Sequence, residues 1–192
     1  MIFTIPNLVS VTRIGAVPVM LWLLLGRDDP AAAGWLLGAI AATDWIDGYL
    51  ARKLDQVSEL GKMLDPVADR LAVVAAVIGG WIAGALPWPV ALAILVREAI
   101  VSLGALILVA RTKQTLDVRY LGKMATMAVY VSVPNFMVFE GTGHAFFGWA
   151  AWVFGIPGLI LYYWVMAHYL GDIRRTLGAD VSSPEPSIGD EK

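Results

Sequence analysis

The sequence predicts an all-α integral membrane protein built as a bundle of about six transmembrane helices. Hydrophobic residues make up 58% of the 192-residue chain and charged residues only 16%, whereas about a quarter of a soluble domain is charged. The mean hydropathy is +0.69, and several apolar runs approach the roughly 20 residues that cross a bilayer. The chain has no cysteine, which excludes a disulfide and a thiolate metal site.

Six apolar segments follow one another, separated by short polar or proline-rich turns. The polar run Arg27-Asp28-Asp29 separates the first two, and Pro87 and Pro89 mark the turn before the fourth. We assign one membrane domain to residues 1–177, and we expect the polar, proline-rich tail at 178–192 to be disordered. The predicted segments are 7–26, 31–52, 60–84, 88–111, 118–139 and 146–170.

The positive charges predict the orientation of these segments. Cytoplasmic loops carry an excess of Lys and Arg, and one set of connections is rich in both. The other set holds only Arg27, which is cancelled by Asp28 and Asp29. We therefore predict a multi-pass protein of the cell membrane with both termini and the active site on the cytoplasmic side. The basic connections contain Arg52, Lys53, Lys62, Arg111, Lys113, Arg119, Arg174 and Arg175.

Four aspartates lie at the inner ends of the second and third segments. The pairs are spaced i, i+3 and i, i+4, so each pair shares one face of its helix. Facing each other, the pairs would repel strongly unless a cation held them. Oxygen ligands without His or Cys favour Mg²⁺ or Mn²⁺ over zinc or copper. The residues on these faces are Asp44, Asp47, Gly48 and Ala51 in the second segment and Gly61, Asp65 and Asp69 in the third.

These residues resemble the signature of the CDP-alcohol phosphatidyltransferases, which are integral membrane enzymes of phospholipid synthesis. The pattern Asp-x-x-Asp-Gly-x-x-Ala-Arg ends at Arg52 and is followed, after eight residues, by Gly-x-x-x-Asp-x-x-x-Asp. The resemblance implies that the phosphatidyl group of CDP-diacylglycerol is transferred to an alcohol and that CMP is released. It also implies a homodimer. The predicted partners are CDP-diacylglycerol, an alcohol acceptor and membrane lipids, with no nucleic acid.

The resemblance further implies a role for each motif residue. The four aspartates would hold Mg²⁺ or Mn²⁺, as two ions, and Asp69 would be the catalytic base. We expect direct displacement at phosphorus, because no Ser, Cys or His lies within the motif to act as a nucleophile. Arg52 can offer a fork of donors to phosphate or to the cytosine edge. The residues predicted to bind the CDP-lipid are Asn7, Arg13, Gly48, Ala51, Arg52, Ser58 and Gly61.

A second cluster of charged residues lies at residues 111–123. We predict that it binds the acceptor through Arg111, Arg119 and Lys123. Lys123 lies inside the fifth segment, where a charge needs a partner or a substrate anion. The branch of the family that uses glycerol 3-phosphate often has a second Lys near this Gly-Lys pair. The run Gly122-Lys123-Met124-Ala125-Thr126 lacks it, which favours a lipid acceptor.

Two acceptors remain open at this point. Glycerol 3-phosphate would give phosphatidylglycerophosphate, and phosphatidylglycerol would give cardiolipin. The run around Asn7 and Arg13 resembles both the phosphatidylglycerophosphate synthases and the related cardiolipin synthases. Inositol phosphate and serine are further alternatives.

The sequence also bears on functions from other classes. A divalent-cation transporter would need polar groups that continue to the far side, but the outer halves of the second and third segments are apolar. A scaffold that merely contains the motif is a third possibility, and the intact pattern argues against it.

Three charged residues outside the motif were interpreted as supporting ones. Arg70, directly after Asp69, is expected to orient a carboxylate or to reach the interface. Arg97 and Glu98 are adjacent in the fourth segment, and adjacent residues do not face each other on a helix. Each of the two is therefore expected to need a neighbour on another helix.

Overall fold

The protein is all-helical throughout the part that the structure describes. This computed structural model describes the backbone of residues 12, 15–54, 59–112 and 120–182, and the side chains of residues 12, 15–42, 70–108, 110, 121–171 and 173. Six helices occupy these ranges: α1 Gly15–Gly26, whose last five residues Trp22–Gly26 form a π-helical turn, α2 Pro30–Leu54, α3 Glu59–Ile82, α4 Trp88–Thr112, α5 Tyr120–Thr142 and α6 Ala145–Ser182.

The helices confirm the order of the six predicted segments, and their ends differ from the predicted ones by a few residues. Pro134 and Pro157 lie inside α5 and α6. Helix α6 continues through residues 178–182, which the sequence had assigned to the polar tail. Of the predicted first segment, residues 7–11, 13 and 14 lie outside the described part of the chain.

In the part of the chain that the structure describes, two helices are long and apolar enough to cross a membrane. They are Trp88–Leu108 and Ala145–Gly171, with mean hydropathies of 2.2 and 1.6. Three shorter apolar helices accompany them, at Gly15–Gly26, Pro30–Ala42 and Arg70–Ile82. Large apolar side chains are exposed along α6, where Trp149 is 74% exposed and Ile160 is 64% exposed. Such a surface suits lipid better than water, and a bundle of six full spans remains a prediction.

Helix α5 lies at the centre of the packing. It contacts α6 and α2 along much of its length and also touches α3, while α4 packs on α6 and α3. Val129, Val133 and Met137 of α5 are almost fully buried. The core therefore forms around one helix that joins the other layers.

Glycines allow α5 to approach its neighbours closely. A Cβ atom on Gly34 of α2 would lie 2.7 Å from the carbonyl oxygen of Pro134, and one on Gly158 of α6 would lie 2.8 Å from the Cβ atom of Ala128. Small residues at such positions let helix backbones pack tightly, which is how helices associate in membranes. The two contacts hold α2 and α6 against opposite parts of the α5 surface.

The start of α2 is determined by local chemistry. Asp29 accepts a hydrogen bond from the backbone N–H of Ala32 at 2.9 Å, and Pro30 occupies the first helical position. An aspartate cap and a proline at this position are both favourable at a helix N-terminus. The turn before it places Asp28 at a φ of 54°.

We predict that Gly158→Ala destabilises the protein whereas Gly171→Ala does not. Both changes raise helix propensity within α6 by about 1 kcal/mol. Only the first puts a methyl group within 2.8 Å of Ala128, since nothing lies within 4 Å of a Cβ atom at Gly171. Overpacking of this kind costs about 1–3 kcal/mol.

The measurement is the thermal unfolding of both variants in the same detergent. We expect a lower Tm for Gly158→Ala and an unchanged or higher Tm for Gly171→Ala. Equal shifts in the two variants would show that the close approach of α5 and α6 does not limit stability.

Candidate active site

The motif residues lie on two consecutive helices. Asp44 and Asp47 are in the second half of α2, and Asp65 and Asp69 are in the first half of α3. Their side chains, and those of Gly48, Ala51, Arg52 and Gly61, lie outside the described residues, as do Asn7, Arg13, Ser58, Arg111 and Arg119. No group of three or more possible metal ligands occurs among the side chains that are described.

An apolar cleft lies between α2, α3 and α5, one helical turn from the motif. About 460 Å³ of space free of protein atoms lies among its lining residues, and part of this space is open to the surroundings. Ten of its eleven lining residues have purely apolar side chains, and Tyr130 is the exception. The lining residues are Leu37, Ile40, Ala41, Ala72, Val73, Ala76, Val77, Val129, Tyr130, Val133 and Pro134.

On α2, the row of lining residues continues into the first pair of acids. Leu37 and Ala41 line the cleft. Asp44 lies on the same helix, seven residues after Leu37 and three residues after Ala41. Residues spaced in this way share one helix face. With a rise of 1.5 Å per residue, Asp44 is about 4.5 Å further along the helix axis than Ala41.

Helix α3 repeats this arrangement in the opposite chain direction. Asp69 is followed at i+3, i+4 and i+7 by Ala72, Val73 and Ala76, all of which line the cleft. On both helices the row that lines the cleft leads, at the same end, to the backbone of a motif residue, Asp44 on α2 and Asp69 on α3.

Helix α5 closes the third side, and its register can be read from contacts outside the cleft. A Cβ atom on Gly141 would lie 2.7 Å from that of Ala31, and one on Gly38 would lie 3.9 Å from that of Pro134. The helices α2 and α5 are therefore antiparallel. Extending this register puts Tyr130 level with residues 41–44.

The same register places Lys123 level with Gly48. Lys123 is exposed on α5, and Thr126, one turn further along, is half-buried and donates its hydroxyl hydrogen to the carbonyl of Gly122 at 3.0 Å. Both precede Tyr130 on the row that reaches the cleft. The backbone thus places the predicted acceptor residue Lys123 at the end of the bundle that carries the motif.

Ala125 lies on a different face of α5 and is fully buried. Neighbouring Gly122 would bring a Cβ atom within 3.5 Å of Val165 on α6. Gly122 therefore lies next to α6.

Arg70 has a partner on the neighbouring helix. Its Nη1 donates a hydrogen bond to the hydroxyl oxygen of Ser102 on α4, and both side chains are half-buried. This contact joins α3 to α4 one residue after Asp69. It anchors the part of α3 that carries the acids from the side opposite to α2.

The expectation that Arg97 and Glu98 do not pair with each other is wrong. Arg97 Nη1 lies 2.7 Å from Glu98 Oε1, and both residues are only 6% exposed. The long side chains reach each other because both bend toward α6. The predicted neighbour on another helix is Tyr162, whose hydroxyl donates to Glu98 Oε1 and whose ring lies 3.7 Å from the Arg97 guanidinium carbon.

This triad stabilises the α4–α6 interface and lies apart from the cleft lining. A buried ion pair needs further hydrogen bonds and close packing to offset desolvation. Tyr162 supplies both, and Arg97 Nε is the one buried side-chain polar atom without a partner among the described residues.

The arrangement suits an amphiphile with a phosphate-containing head. The acidic motif residues at this end of α2 and α3 are all aspartates, and carboxylate oxygens are ligands that fit Mg²⁺ or Mn²⁺ and not a soft metal. The interior of the cleft fits hydrocarbon. Motif spacing alone identifies the acids but misses the cleft. The signal that could have found it is the run of small or apolar residues on the same helical rows, such as Ala41, Ala72 and Ala76.

Comparison with known proteins agrees with this picture. A family model described as CDP-alcohol phosphatidyltransferase matches residues 3–157. The cardiolipin synthase (CMP-forming) of Streptomyces coelicolor is 36% identical, over 95% of this chain and 88% of its own. The CDP-diacylglycerol--glycerol-3-phosphate 3-phosphatidyltransferase of Bacillus subtilis is 34% identical, over 79% and 87%. The Escherichia coli protein of the same name is 32% identical, over 91% and 97%.

We predict that Glu98→Ala strongly destabilises the protein, because it leaves the buried Arg97 charge without its carboxylate. Breaking a buried pair from one side costs about 3–5 kcal/mol. The double variant Arg97→Met with Glu98→Leu removes both charges and should recover most of the loss. Thermal unfolding in detergent measures both. A single variant as stable as the wild type would show that the pair is not needed for stability.

Proposed function

The chain belongs to the CDP-alcohol phosphatidyltransferase family, and we propose that it transfers the phosphatidyl group of CDP-diacylglycerol to a glycerol-type alcohol with release of CMP. The observation that carries this proposal is the continuity between the motif and the cleft. Two helical rows pass from Asp44 and Asp69 directly into one apolar cavity. A nucleotide-activated lipid has the same order of polar and apolar parts.

The donor would lie with its diphosphate at the four aspartates and an acyl chain in the cleft. Burying each methylene contributes about 0.8 kcal/mol, so an acyl chain that enters the cleft would strengthen the binding of the donor. At its outer end the cleft is closed by Met137. A Cβ atom on Gly34 would lie 2.9 Å from Met137 Cβ, and one on Gly80 would lie 2.9 Å from Met137 Cε.

The same closure argues against the transporter alternative. A cation path would need oxygen ligands beyond the acids. Along α2 and α3, moving away from Asp44 and Asp69, the described residues first form the apolar lining of the cleft. Beyond this lining, Gly34 and Gly80 lie close to Met137. The side chains that line the described cleft therefore do not form the row of oxygen ligands that a cation path needs.

The carboxylates of Asp44, Asp47, Asp65 and Asp69 would hold one or two Mg²⁺ or Mn²⁺ ions. When bound, such ions neutralise the diphosphate and stabilise charge on the leaving oxygen. Gly48, Ala51 and Gly61 would leave room for the nucleotide beside the helix backbone. Arg52, Ser58, Asn7 and Arg13 would supply donors to its polar groups.

The reaction would be a direct displacement. The acceptor hydroxyl oxygen forms a bond to the phosphatidyl phosphorus while the bond from that phosphorus to the bridging diphosphate oxygen breaks, so that CMP leaves. The hydroxyl proton passes to the carboxylate of Asp69. The contact of Arg70 with Ser102 would keep α3 in the rotation that directs this residue toward the cleft mouth.

Lys123, Arg119 and Arg111 would bind the acceptor. Lys123 lies on the cleft row of α5, and the run Gly122-Lys123-Met124-Ala125-Thr126 lacks the second Lys that often accompanies a glycerol 3-phosphate acceptor. Relatives named for each of these two products match the chain, and we place phosphatidylglycerol first.

The proposal includes a multi-pass protein of the cell membrane with both termini and the active site cytoplasmic, and a homodimer. The distribution of Lys and Arg supports the orientation. The exposed apolar surfaces of α4 and α6 support the membrane setting.

We predict that the purified protein with Mg²⁺ or Mn²⁺ releases CMP from CDP-diacylglycerol when an acceptor is present. Glycerol 3-phosphate, phosphatidylglycerol and inositol phosphate are supplied separately, and CMP and the lipid product are measured. Asp69→Asn should reduce turnover roughly 10²–10⁴-fold, as loss of a general base does. Asp28→Asn, which changes an exposed acid far from the motif, is the matched control.

Formation of cardiolipin when phosphatidylglycerol is supplied would confirm phosphatidylglycerol as the acceptor. Formation of phosphatidylglycerophosphate when glycerol 3-phosphate is supplied would show that glycerol 3-phosphate is the acceptor instead. An Asp69→Asn variant that keeps more than about a tenth of wild-type turnover would remove this residue from the role of base. No CMP with any acceptor would contradict the proposed function.

We predict that Ala76→Leu selectively impairs donors with long acyl chains. The larger side chain fills the cleft about 10 Å along α3 from Asp69. Losing one or two methylene contacts corresponds to roughly a four- to fifteenfold higher KM for CDP-dioleoylglycerol. CDP-dibutyrylglycerol, whose chains end before this level, should be used as well as before.

Ala75→Leu is the matched control for this prediction. It makes the same change on the same helix, at a half-buried residue outside the cleft lining. If Ala75→Leu and Ala76→Leu changed KM equally, or if Ala76→Leu changed KM equally for both donors, the result would show that the acyl chain does not occupy this cleft.

A further inference from the structure

We infer that Met137 sets how much of an acyl chain the cleft can hold, which makes it a specificity residue for the chain length of the donor lipid. This inference rests on the proposed function and adds to it a residue that lies outside both the motif and the cleft lining. Met137 lies on α5 and is 0% exposed. It follows Val133 and Pro134, which line the cleft, by one helical turn.

All three walls of the cleft lead to Met137 at the end away from the motif. On α2 the row of lining residues ends at Leu37, and Gly34 precedes it by three residues. On α3 the row ends at Val77, and Gly80 follows it by three residues. Residues spaced in this way share one helix face. The two glycines therefore continue the walls of the cleft, and Met137 meets both of them.

The two ends of the Met137 side chain lie against these two glycines. A Cβ atom on Gly34 would lie 2.9 Å from Met137 Cβ, and one on Gly80 would lie 2.9 Å from Met137 Cε. The side chain therefore spans the gap between α2 and α3, and it fills the space that a Cβ atom on either helix would take. An unbranched thioether is well suited to such a gap. The Cβ atom of buried Leu86 lies 3.4 Å from the same position on Gly80, so the packing at this end is close.

The distance from the motif to Met137 gives the length of chain that the cleft can hold. Gly80 is eleven residues after Asp69, and Gly34 is ten residues before Asp44. At the rise of an α-helix, both walls therefore give about 15–16 Å along the helix axis. With the diphosphate at the aspartates, the glycerol ester takes up roughly the first third of this distance, and an extended chain reaches Met137 after roughly eight carbons.

Packing decides which chain lengths are favoured. The donor comes from a lipid phase that is itself apolar, so a carbon gains most where it makes the dense contacts of a protein interior. Carbons that precede Met137 lie between the cleft walls and make such contacts, whereas carbons beyond it must leave the cleft. The wild type should therefore use longer donors better up to about eight carbons per chain and should gain nothing from further carbons.

The experiment is a competition among donors of different chain length. An equimolar mixture of CDP-diacylglycerols, with saturated even-numbered chains from hexanoyl to myristoyl, is supplied in mixed micelles with Mg²⁺ and the better acceptor. Mass spectrometry of the lipid products at low conversion gives the ratios of kcat/KM. The fraction of each donor in the micelles is measured without protein and corrects these ratios. Dividing the ratios of a variant by those of the wild type removes what remains of this effect.

Three variants test the role of Met137. Met137→Ala removes the side chain beyond Cβ and should extend the gain by about three carbons, so that the ratio of dodecanoyl to octanoyl product rises roughly three- to tenfold over the wild type. Met137→Leu conserves volume and should leave this ratio unchanged. Met127→Ala makes the same truncation on the same helix, at a residue that is 48% exposed and outside the cleft lining, and should also leave it unchanged. If Met137→Ala does not fold, Met137→Val leaves a smaller cavity and should shift the ratio in the same direction.

Three results would overturn the inference. One is a wild type whose corrected product ratios keep rising to the myristoyl donor without a break, which needs no variant to fold. Another is a folded Met137→Ala or Met137→Val variant with the same break as the wild type. The third is a shift in Met127→Ala as large as the shift in Met137→Ala, since that indicates a general effect of truncation on α5. Absence of CMP from the wild type with all donors and every acceptor would instead contradict the proposed function itself.

Discussion

The close contact of α2 with α5 is the constraint on which the candidate site depends. At Gly34 the backbone of α2 lies so near the carbonyl of Pro134 that a side chain would not fit. This contact sets the rotation and the level of α2, and so it determines which row of α2 faces the cleft. Because Asp44 continues that row, a packing contact two to three turns away sets the position of its backbone. The site is therefore a consequence of helix packing as much as of its own polar residues.

Helix α3 is held in a different way, by polar contact on one side and apolar contact on the other. Arg70 bonds to Ser102 on α4, while Ala72, Val73 and Ala76 face the cleft. Small residues on the cleft row leave space for a ligand, and the tether to α4 keeps that space from being closed by rotation of α3. The same helix can thus carry two acids at its start and an apolar wall directly after them.

Polar groups in the rest of the bundle are used for architecture. Arg97, Glu98 and Tyr162 satisfy one another between α4 and α6, and Ser132 donates to the carbonyl of Ala151 at 2.8 Å between α5 and α6. In an apolar setting an unpaired polar group is costly, so each contact fixes one relative position of two helices. These pairs hold the scaffold of the bundle.

The sequence by itself determined the helical class, the order of the six segments and the motif of acids, because hydrophobic length and i, i+3, i+4 spacing are local properties. It did not determine that Arg97 and Glu98 pair with each other, since local spacing argues against it and the geometry depends on Tyr162 from a helix 64 residues away. Only the tertiary structure decided that the rows below Asp44 and Asp69 form one cleft with Tyr130 in its wall. The physical reason is that a cavity is made by the packing of three helices, and no single helix encodes their mutual rotation.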